Sequence, residues 1–226
     1  MIQHQKDLEA QIGYRFKQPE FLTQALTHRS YNSIHNERLE YLGDALLETI
    51  ISVWLYRYYP NASEGDLTRQ RASIVKGAQL AKIASHLNLG QFIRLGSGEL
   101  KTGGATRSST LANTLEAIIA AIYLDSNYDE CERTTLALFE RTLTNLPDAA
   151  SLKDPKTQLQ ELLQGQGMAT PKYVITKESG PEHRRQFHIT ATTEHYQVQA
   201  VDYSRKKAEQ QAAQILLNLY NPKSKS

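Results

Sequence analysis

The stretch Asn36–Leu47, NERLEYLGDALL, places Glu37, Glu40 and Asp44 three and four residues apart in an otherwise apolar helical pattern. At about 100° per residue, these carboxylates fall within an arc of about 60° on one side of a helix. Leu39, Leu42, Leu46, Ile50 and Val53 form the opposite stripe and are expected to face the core, while the acidic arc runs on into Ile51 and Leu55. The acids therefore sit where a solvated face turns buried, close enough to repel one another, an arrangement that calls for a cation. Acids near a helix N-terminus are also ordinary solvated surface favoured by the dipole, and for an arbitrary helix that plainer explanation is the commoner one. A second segment shifts the balance. In STLANTLEAIIAAIYLD, Leu111, Leu115, Ile118 and Ile122 form a core stripe, whereas Asn113 and Glu116 project together from another side. The small Ala120 continues their arc and would admit a neighbouring helix. Two such helices face to face make an all-oxygen site suited to Mg²⁺ or Mn²⁺. Helical di-iron centres use Glu-x-x-His, and this chain has no such pair.

The elements that must position these residues follow from periodicity and turn signals. The first part of the chain reads as helical near 4–12, 19–27, 37–58, 64–87, 109–124 and 129–146, interrupted by Tyr59-Pro60-Asn61 and a glycine-rich stretch from Gly96 to Gly104. The run NLPDAASLKDP, Asn145–Pro155, reads as a linker. Beyond it the pattern changes to a helix near 156–165, alternating strands near 172–178, 185–193 and 195–201, and a closing helix from Ser204 to Tyr220. The expected organisation is an all-α domain over 1–147, a linker at 148–153, a small α-β-β-β-α domain over 154–222 and a polar tail at 223–226.

Composition sets the class. A length of 226 residues with 40% hydrophobic and 22% charged residues is ordinary for a globular protein of one larger and one smaller domain. A lone Cys131 excludes a disulfide framework and a thiolate metal site, and fits a reducing compartment. The start MIQHQKDLEA does not read as a signal peptide, and no apolar run is long enough to span a membrane, so a cytoplasmic protein without membrane contact is expected. The net charge of +2 conceals an asymmetry: residues 1–151 carry −2 and residues 152–226 carry +4. An acidic-site half joined to a basic half suits an enzyme acting on a polyanion.

NERLEYLGDALL resembles the signature of ribonuclease III, the double-strand-specific endoribonuclease. QALTHRSY at Gln24–Tyr31, EGDLTRQRASIV at Glu64–Val75, LGSGELKTGG at Leu95–Gly104 and TLANTLEAIIAAIYLD at Thr110–Asp125 match the same family in order, and the α-β-β-β-α part resembles a double-stranded-RNA-binding domain. The resemblance implies hydrolysis of phosphodiester bonds in double-stranded RNA, leaving 5′-phosphate and 3′-hydroxyl ends, in ribosomal-RNA precursors and structured messenger and transfer transcripts. It implies a homodimer with the Asn36–Leu47 helix near the two-fold axis and Tyr41 at the interface. It also implies Mg²⁺, with Mn²⁺ able to substitute, and no nucleotide cofactor. Glu40, Asp44 and Glu116 match the family's metal-binding and catalytic carboxylates, and Asn113 stands where the family has Asp. Glu37 and Glu64 match further acidic positions around the cleft.

The second domain's resemblance assigns duplex contacts to Thr157, Gln160, Glu161 and Gln164 on its first helix, which meet a minor groove, and to His183 in the following strand loop. Arg205, Lys206 and Lys207 open the last helix and would grip phosphates, a placement unfavourable against the helix dipole alone. The pattern departs from the family in two places. Ala200-Val201-Asp202 replaces the usual Gly-x-Gly, so the turn must form without glycine, and Asp202 adds an anion near the phosphates. Asn113 can offer an oxygen but no charge. A binding protein without cleavage and a Mg²⁺-dependent nucleoside-triphosphate pyrophosphatase are the alternatives, the RNA-binding part arguing against the second. Cys131, Trp54 and His28 read as structural, and Lys101 and Arg107 flank the glycine-rich stretch near enough to touch RNA.

Overall fold

Alternation of Leu, Ile and Ala on nearly every side of Ser108–Asp125 demands that this helix be enclosed, and twelve of its eighteen residues are buried. The computed structural model describes residues 2–221, and these cluster into two units that divide between Leu152 and Lys153. In the first unit the helices are α1 (Ile2–Ile12), α2 (Pro19–Ala25), α3 (Glu37–Tyr58), α4 (Glu64–Val75), α5 (Gly77–His86), α6 (Ser97–Lys101), α7 (Ser108–Asp125) and α8 (Tyr128–Thr144). Short 3-10 turns lie at Leu89–Gln91, Gly104–Thr106 and Ala149–Leu152. The enclosed helix, α7, packs against α2, α3, α5 and α8.

Four expectations are corrected. The single helix over 64–87 is two helices, because Lys76 takes an extended conformation (φ −61°, ψ 139°) and re-aims the chain so that Leu80, Ala81, Ile83 and Ala84 of α5 are buried. A periodic pattern cannot reveal a change of direction between two stretches of the same period. The core stripe of α3 lies on Leu39, Gly43, Leu47, Ile50, Ile51 and Leu55, and Leu42, Leu46 and Val53 are half-buried beside it. The glycine-rich stretch contains a helical turn, α6, and the linker contains the 3-10 turn at Ala149–Leu152, which packs on α4. Trp54 is structural as expected: half-buried, it packs against the core and stacks on Tyr58 with ring centroids 4.8 Å apart. Cys131 is core as expected: it is fully buried, donates to the Ile119 carbonyl, and burial pushes its thiol up to about 11.

The second unit comprises α9 (Pro155–Gly165), strands β1 (Lys172–Ser179), β2 (Gln186–Thr192) and β3 (Gln197–Asp202), and α10 (Arg205–Tyr220). The strands form an antiparallel sheet in the order β1-β2-β3, with an irregular register at Thr176. Ile189, Ala191 and Ala200 from the sheet meet Leu159, Leu163, Ala208, Ala212 and Leu216 from the helices in a separate core. The polar tail at 223–226 lies outside the described residues. None of the helices described is long and apolar enough to cross a membrane.

One buried carboxylate fastens the end of α7 to the start of the chain. Asp125 accepts hydrogen bonds from the Tyr14 hydroxyl at 2.7 Å and from the main-chain N–H groups of Lys17 at 2.8 Å and Gln18 at 2.9 Å. Burial alone would raise its pKa, but these three donors outweigh burial and hold the carboxyl below its usual range, while burial and Asp125 itself push Tyr14 up to about 12. Asp125→Asn presents an N–H to donors and should cost about 2–3 kcal/mol, which is about 5–10 °C in the melting temperature of the helical unit. Because the folded pKa is depressed, this contribution is present above the unfolded carboxyl value and is lost as the pH falls through the folded one. The gap between the two proteins should therefore be full at pH 7 and shrink in acid, measured by circular dichroism melts across pH. Equal melting temperatures at pH 7 would remove Asp125 from this role.

Candidate functional site

α3 and α7 approach one another because Gly43 has no side chain. A Cβ there would be driven into the main-chain carbonyl oxygen of Glu116 and would stand 3.1 Å from its Cα. Gly43 is buried, and on the same helix Glu40 precedes it by three residues and Asp44 follows it by one. Contact at this point sets the acidic arc of α3 beside Asn113 and Glu116 of α7. The close approach that Ala120 was expected to provide is thus made by Gly43, although Ala120 is also fully buried.

A cavity of about 590 Å³ opens at this junction, and Glu37, Glu40, Asp44, Asn113 and Glu116 all line it. Glu40, Asn113 and Glu116 are half-buried, and Glu37 and Asp44 are exposed. Burial first, then the negative charges of Asp44 and Glu40, push the Glu116 carboxyl up to about 7. Glu40 is also raised, by burial and by Glu37 and Asp44, against the opposing effects of a hydrogen bond with Asn113 and the charge of Arg29. Two acids that resist ionisation in each other's presence would regain it beside a cation. Among the described residues, no group of three or more Asp, Glu, His or Cys side chains is placed to hold a metal ion by itself. The donor set is nonetheless oxygen throughout, and an open hollow leaves room for the waters that Mg²⁺ keeps. These residues fit a hard divalent cation.

Sequence reasoning missed how the cavity wall is built. Thr27 pairs with Arg94 in an isolated bridge, His28 N donates to the Arg94 carbonyl at 3.0 Å, and Gly96 N donates to Ser30 Oγ at 3.0 Å. His28 is held by its ring nitrogen 2.8 Å from Ser30 Oγ and lines the cavity, so its structural role is at the site. This strut presents Arg29, whose Nη1 lies 3.1 Å from Glu37. Arg107 lines the same cavity and lies 2.9 Å from Glu99. Arg29 carries no periodic signal, because it stands in an irregular segment positioned by contacts distant in sequence, whereas Arg107 immediately precedes α7 and is held by its chain neighbours Glu99 and Thr102. Lys101 does not line the cavity. Glu64 is not brought to it either: at the start of α4 it accepts from Thr68 at 2.9 Å and lines a different hollow with Ser52, Tyr56 and Arg71.

In the second unit, Gln160, Glu161 and Gln164 are exposed along α9, with Glu161 accepting from Lys153 at 2.6 Å. Thr157 is half-buried and donates to Asp154 at 2.8 Å. His183 is exposed in the β1–β2 loop, where Gly180 at φ +88° turns the chain. Arg205 pairs with Glu209 at 2.9 Å, while Lys206 and Lys207 are exposed with no ion pair among the described residues. The turn before them needs no glycine. Ala200–Asp202 continue β3, and the Asp202 carboxylate accepts from Ser204 N and from Gln211, each at 2.9 Å. The Asp202 anion thus builds the corner that leads into α10.

Residues 18–142 match the family description "Ribonuclease-III-like" and residues 155–220 match "Double-stranded RNA binding motif". The chain is 47% identical to Ribonuclease 3 of Colwellia psychrerythraea over 94% of its own length and 80% of that protein's. It is 46% identical to Ribonuclease 3 of Proteus mirabilis, covering 93% of this chain and 94% of the relative. Among solved structures, the nuclease domain of ribonuclease III from Campylobacter jejuni is similar with a TM-score of 0.60 and 40% identity, over 61% of this chain and 97% of that one.

The α3–α7 contact makes a direct prediction. Gly43→Ala should lower stability by about 1–3 kcal/mol through overpacking against main chain. Gly98→Ala in α6, where an added Cβ meets nothing within 4 Å, should be neutral or mildly stabilising. Urea unfolding of both variants decides the matter, and equal midpoints would show that the helices are not held at this spacing.

Proposed function

The chain belongs to the ribonuclease III family of metal-dependent endoribonucleases that cut double-stranded RNA, and from that membership we propose that the hollow between α3 and α7 is its hydrolytic centre, with Mg²⁺ as the ion and Mn²⁺ able to replace it. The observation that supports this reading most strongly is the meeting of two acidic arcs at the Gly43 contact, with the Glu116 carboxyl pushed up to about 7 by burial and by the charges of Asp44 and Glu40. Glu40 and Glu116 would hold the ion, with the Asn113 oxygen beside them. When bound, it supplies water activation, charge stabilisation on the phosphorus oxygens and neutralisation of the leaving oxygen.

The chain's own groups do the rest. Asp44, exposed at the cavity edge, accepts a proton from the attacking water and orients it. Glu37 restrains Arg29 at the mouth, and Glu99 restrains Arg107 on the same wall, so two guanidinium groups stand ready for backbone phosphates. Glu64, in its separate hollow, has no part in the centre of its own chain. The products are 5′-phosphate and 3′-hydroxyl ends, and the substrates are ribosomal-RNA precursors and structured messenger and transfer transcripts. Thr157, Gln160, Glu161 and Gln164 meet one minor groove, His183 the next, and Arg205, Lys206 and Lys207 the phosphates between. The chain works as a homodimer in the cytoplasm. The Campylobacter nuclease domain is described with a region involved in dimer formation. Tyr41, 82% exposed at the cavity edge, is the apolar residue offered to a second copy.

Glu116→Gln should slow cleavage of a labelled duplex by roughly 100- to 1,000-fold or more with Mg²⁺ present, leaving duplex affinity within about twofold, since binding rests on phosphate contacts. Cleavage at near the parent rate would move the centre elsewhere. Asn113→Asp restores a charge and should lower the Mg²⁺ concentration for half-maximal rate by roughly tenfold. Superimposable Mg²⁺ titrations for the two proteins would place residue 113 out of contact with the ion.

A further inference from the structure

The first unit has a second hollow of about 630 Å³, between α5 and the last turns of α8, closed by the segment that runs from Leu146 to Leu152. Gln79 Nε2 donates to Thr142 Oγ1 at 2.9 Å and ties the two helices together. Lys76, Lys82, His86 and Arg141 line it, and no carboxylate does. Glu140 and Asp148, the acids nearest Arg141 in sequence, are exposed and do not line it. Among the described residues none of these four cations has an ion pair, whereas Arg29, Arg57, Arg69, Arg71, Arg107 and Arg133 of the same unit each have one. His86 has one ring nitrogen, Nδ1, 2.7 Å from the Lys82 carbonyl oxygen, which leaves Nε2 for another partner. Beneath the cations the wall is aliphatic: Ile83 is buried, and Leu138 and Leu146 are half-buried.

We propose that this hollow binds a nucleoside polyphosphate as an exchangeable ligand, separate from the RNA that is cut and not a cofactor of the cutting. Unpaired cations around a concavity match several phosphate charges at once. The volume is that of a small-molecule site. The aliphatic wall gives a purine an apolar surface to cover, and the amides of Gln79 and Asn145 supply polar groups at its edge. A strand of RNA is the poorer occupant, because no Phe, Tyr or Trp lines the hollow and the lone imidazole of His86 cannot stack successive bases. The proposal does not depend on where the hydrolytic centre lies.

The test is calorimetric titration of the full-length protein with ATP and with GTP in EDTA at fixed ionic strength, so that no divalent ion can hold phosphates in the acidic hollow. Inorganic tripolyphosphate and adenosine are titrated alongside. One site per chain is expected, with at least one nucleoside triphosphate bound about tenfold more tightly than tripolyphosphate. Lys82→Ala with Arg141→Ala should weaken binding about tenfold or more, while melting temperature and duplex cleavage stay at parental values. Lys76→Gln with Lys82→Gln, confined to exposed side chains, should weaken it in the same direction. Glu116→Gln, and Arg205→Ala with Lys206→Ala and Lys207→Ala, should leave it unchanged. Equal affinity for tripolyphosphate and both nucleotides, binding that follows the α10 cations, or no binding at millimolar nucleotide would each overturn the proposal.

Discussion

The acidic hollow of the first unit depends on one main-chain contact, the buried face of Gly43 against the Glu116 carbonyl. Neither acidic arc is a site alone. Three acids on the first turns of a helix are ordinary surface, and so are an amide and an acid on another. Brought together at the spacing that a missing side chain permits, they become groups whose charges oppose one another, and burial makes that opposition costly. The apolar half of α7, enclosed by four neighbouring helices, supplies the rigidity that prevents the two helices from moving apart.

The second unit solves a related problem with polar contacts. Its exposed cations stand at the N-terminal end of α10, where the dipole opposes them, so the helix start has to be held by other means. Lys156 lies 2.8 Å from Glu209 and covers the Tyr173 ring, and Glu209 also receives Arg205. Asp154 caps α9 and accepts from Gln210, while Asp202 closes the corner from β3. Acids interleaved among the bases fix the helix start and leave Lys206 and Lys207 at the surface without an ion pair among the described residues.

Much of this was legible in the sequence, for identifiable reasons. The arcs at Glu37, Glu40 and Asp44 and at Asn113 and Glu116 could be read because helical period is a local property, and the α7 stripe of Leu111, Leu115, Ile118 and Ile122 is buried as read. The strand order and the closing helix followed from turn residues at Gly180 and Thr193. What could not be read depends on contacts distant in sequence. The break at Lys76 is invisible to periodicity. The core face of α3 is rotated toward Leu47 and Ile51 because Gly43, which contributes no hydrophobicity, lies at its centre. Arg29 reaches the cavity through pairings such as Thr27 with Arg94, which no local pattern encodes. The Asp202 turn replaced glycine by side-chain hydrogen bonding, an alternative that a motif comparison registers only as a mismatch.

The central place of α7 also bears on how the chain comes off the ribosome. Helices α2, α3 and α5 all precede it and each rests on it, and the Tyr14 hydroxyl finds its acceptor 111 residues later. Until residue 125 has cleared the exit tunnel, the faces of those earlier helices that rest on α7 stay uncovered. The nascent first half therefore carries apolar surface whose cover is made late, because the contacts that bury it are distant in sequence. The smaller unit, whose helices and sheet are all encoded after Leu152, is released from that dependence and can fold as soon as it is made.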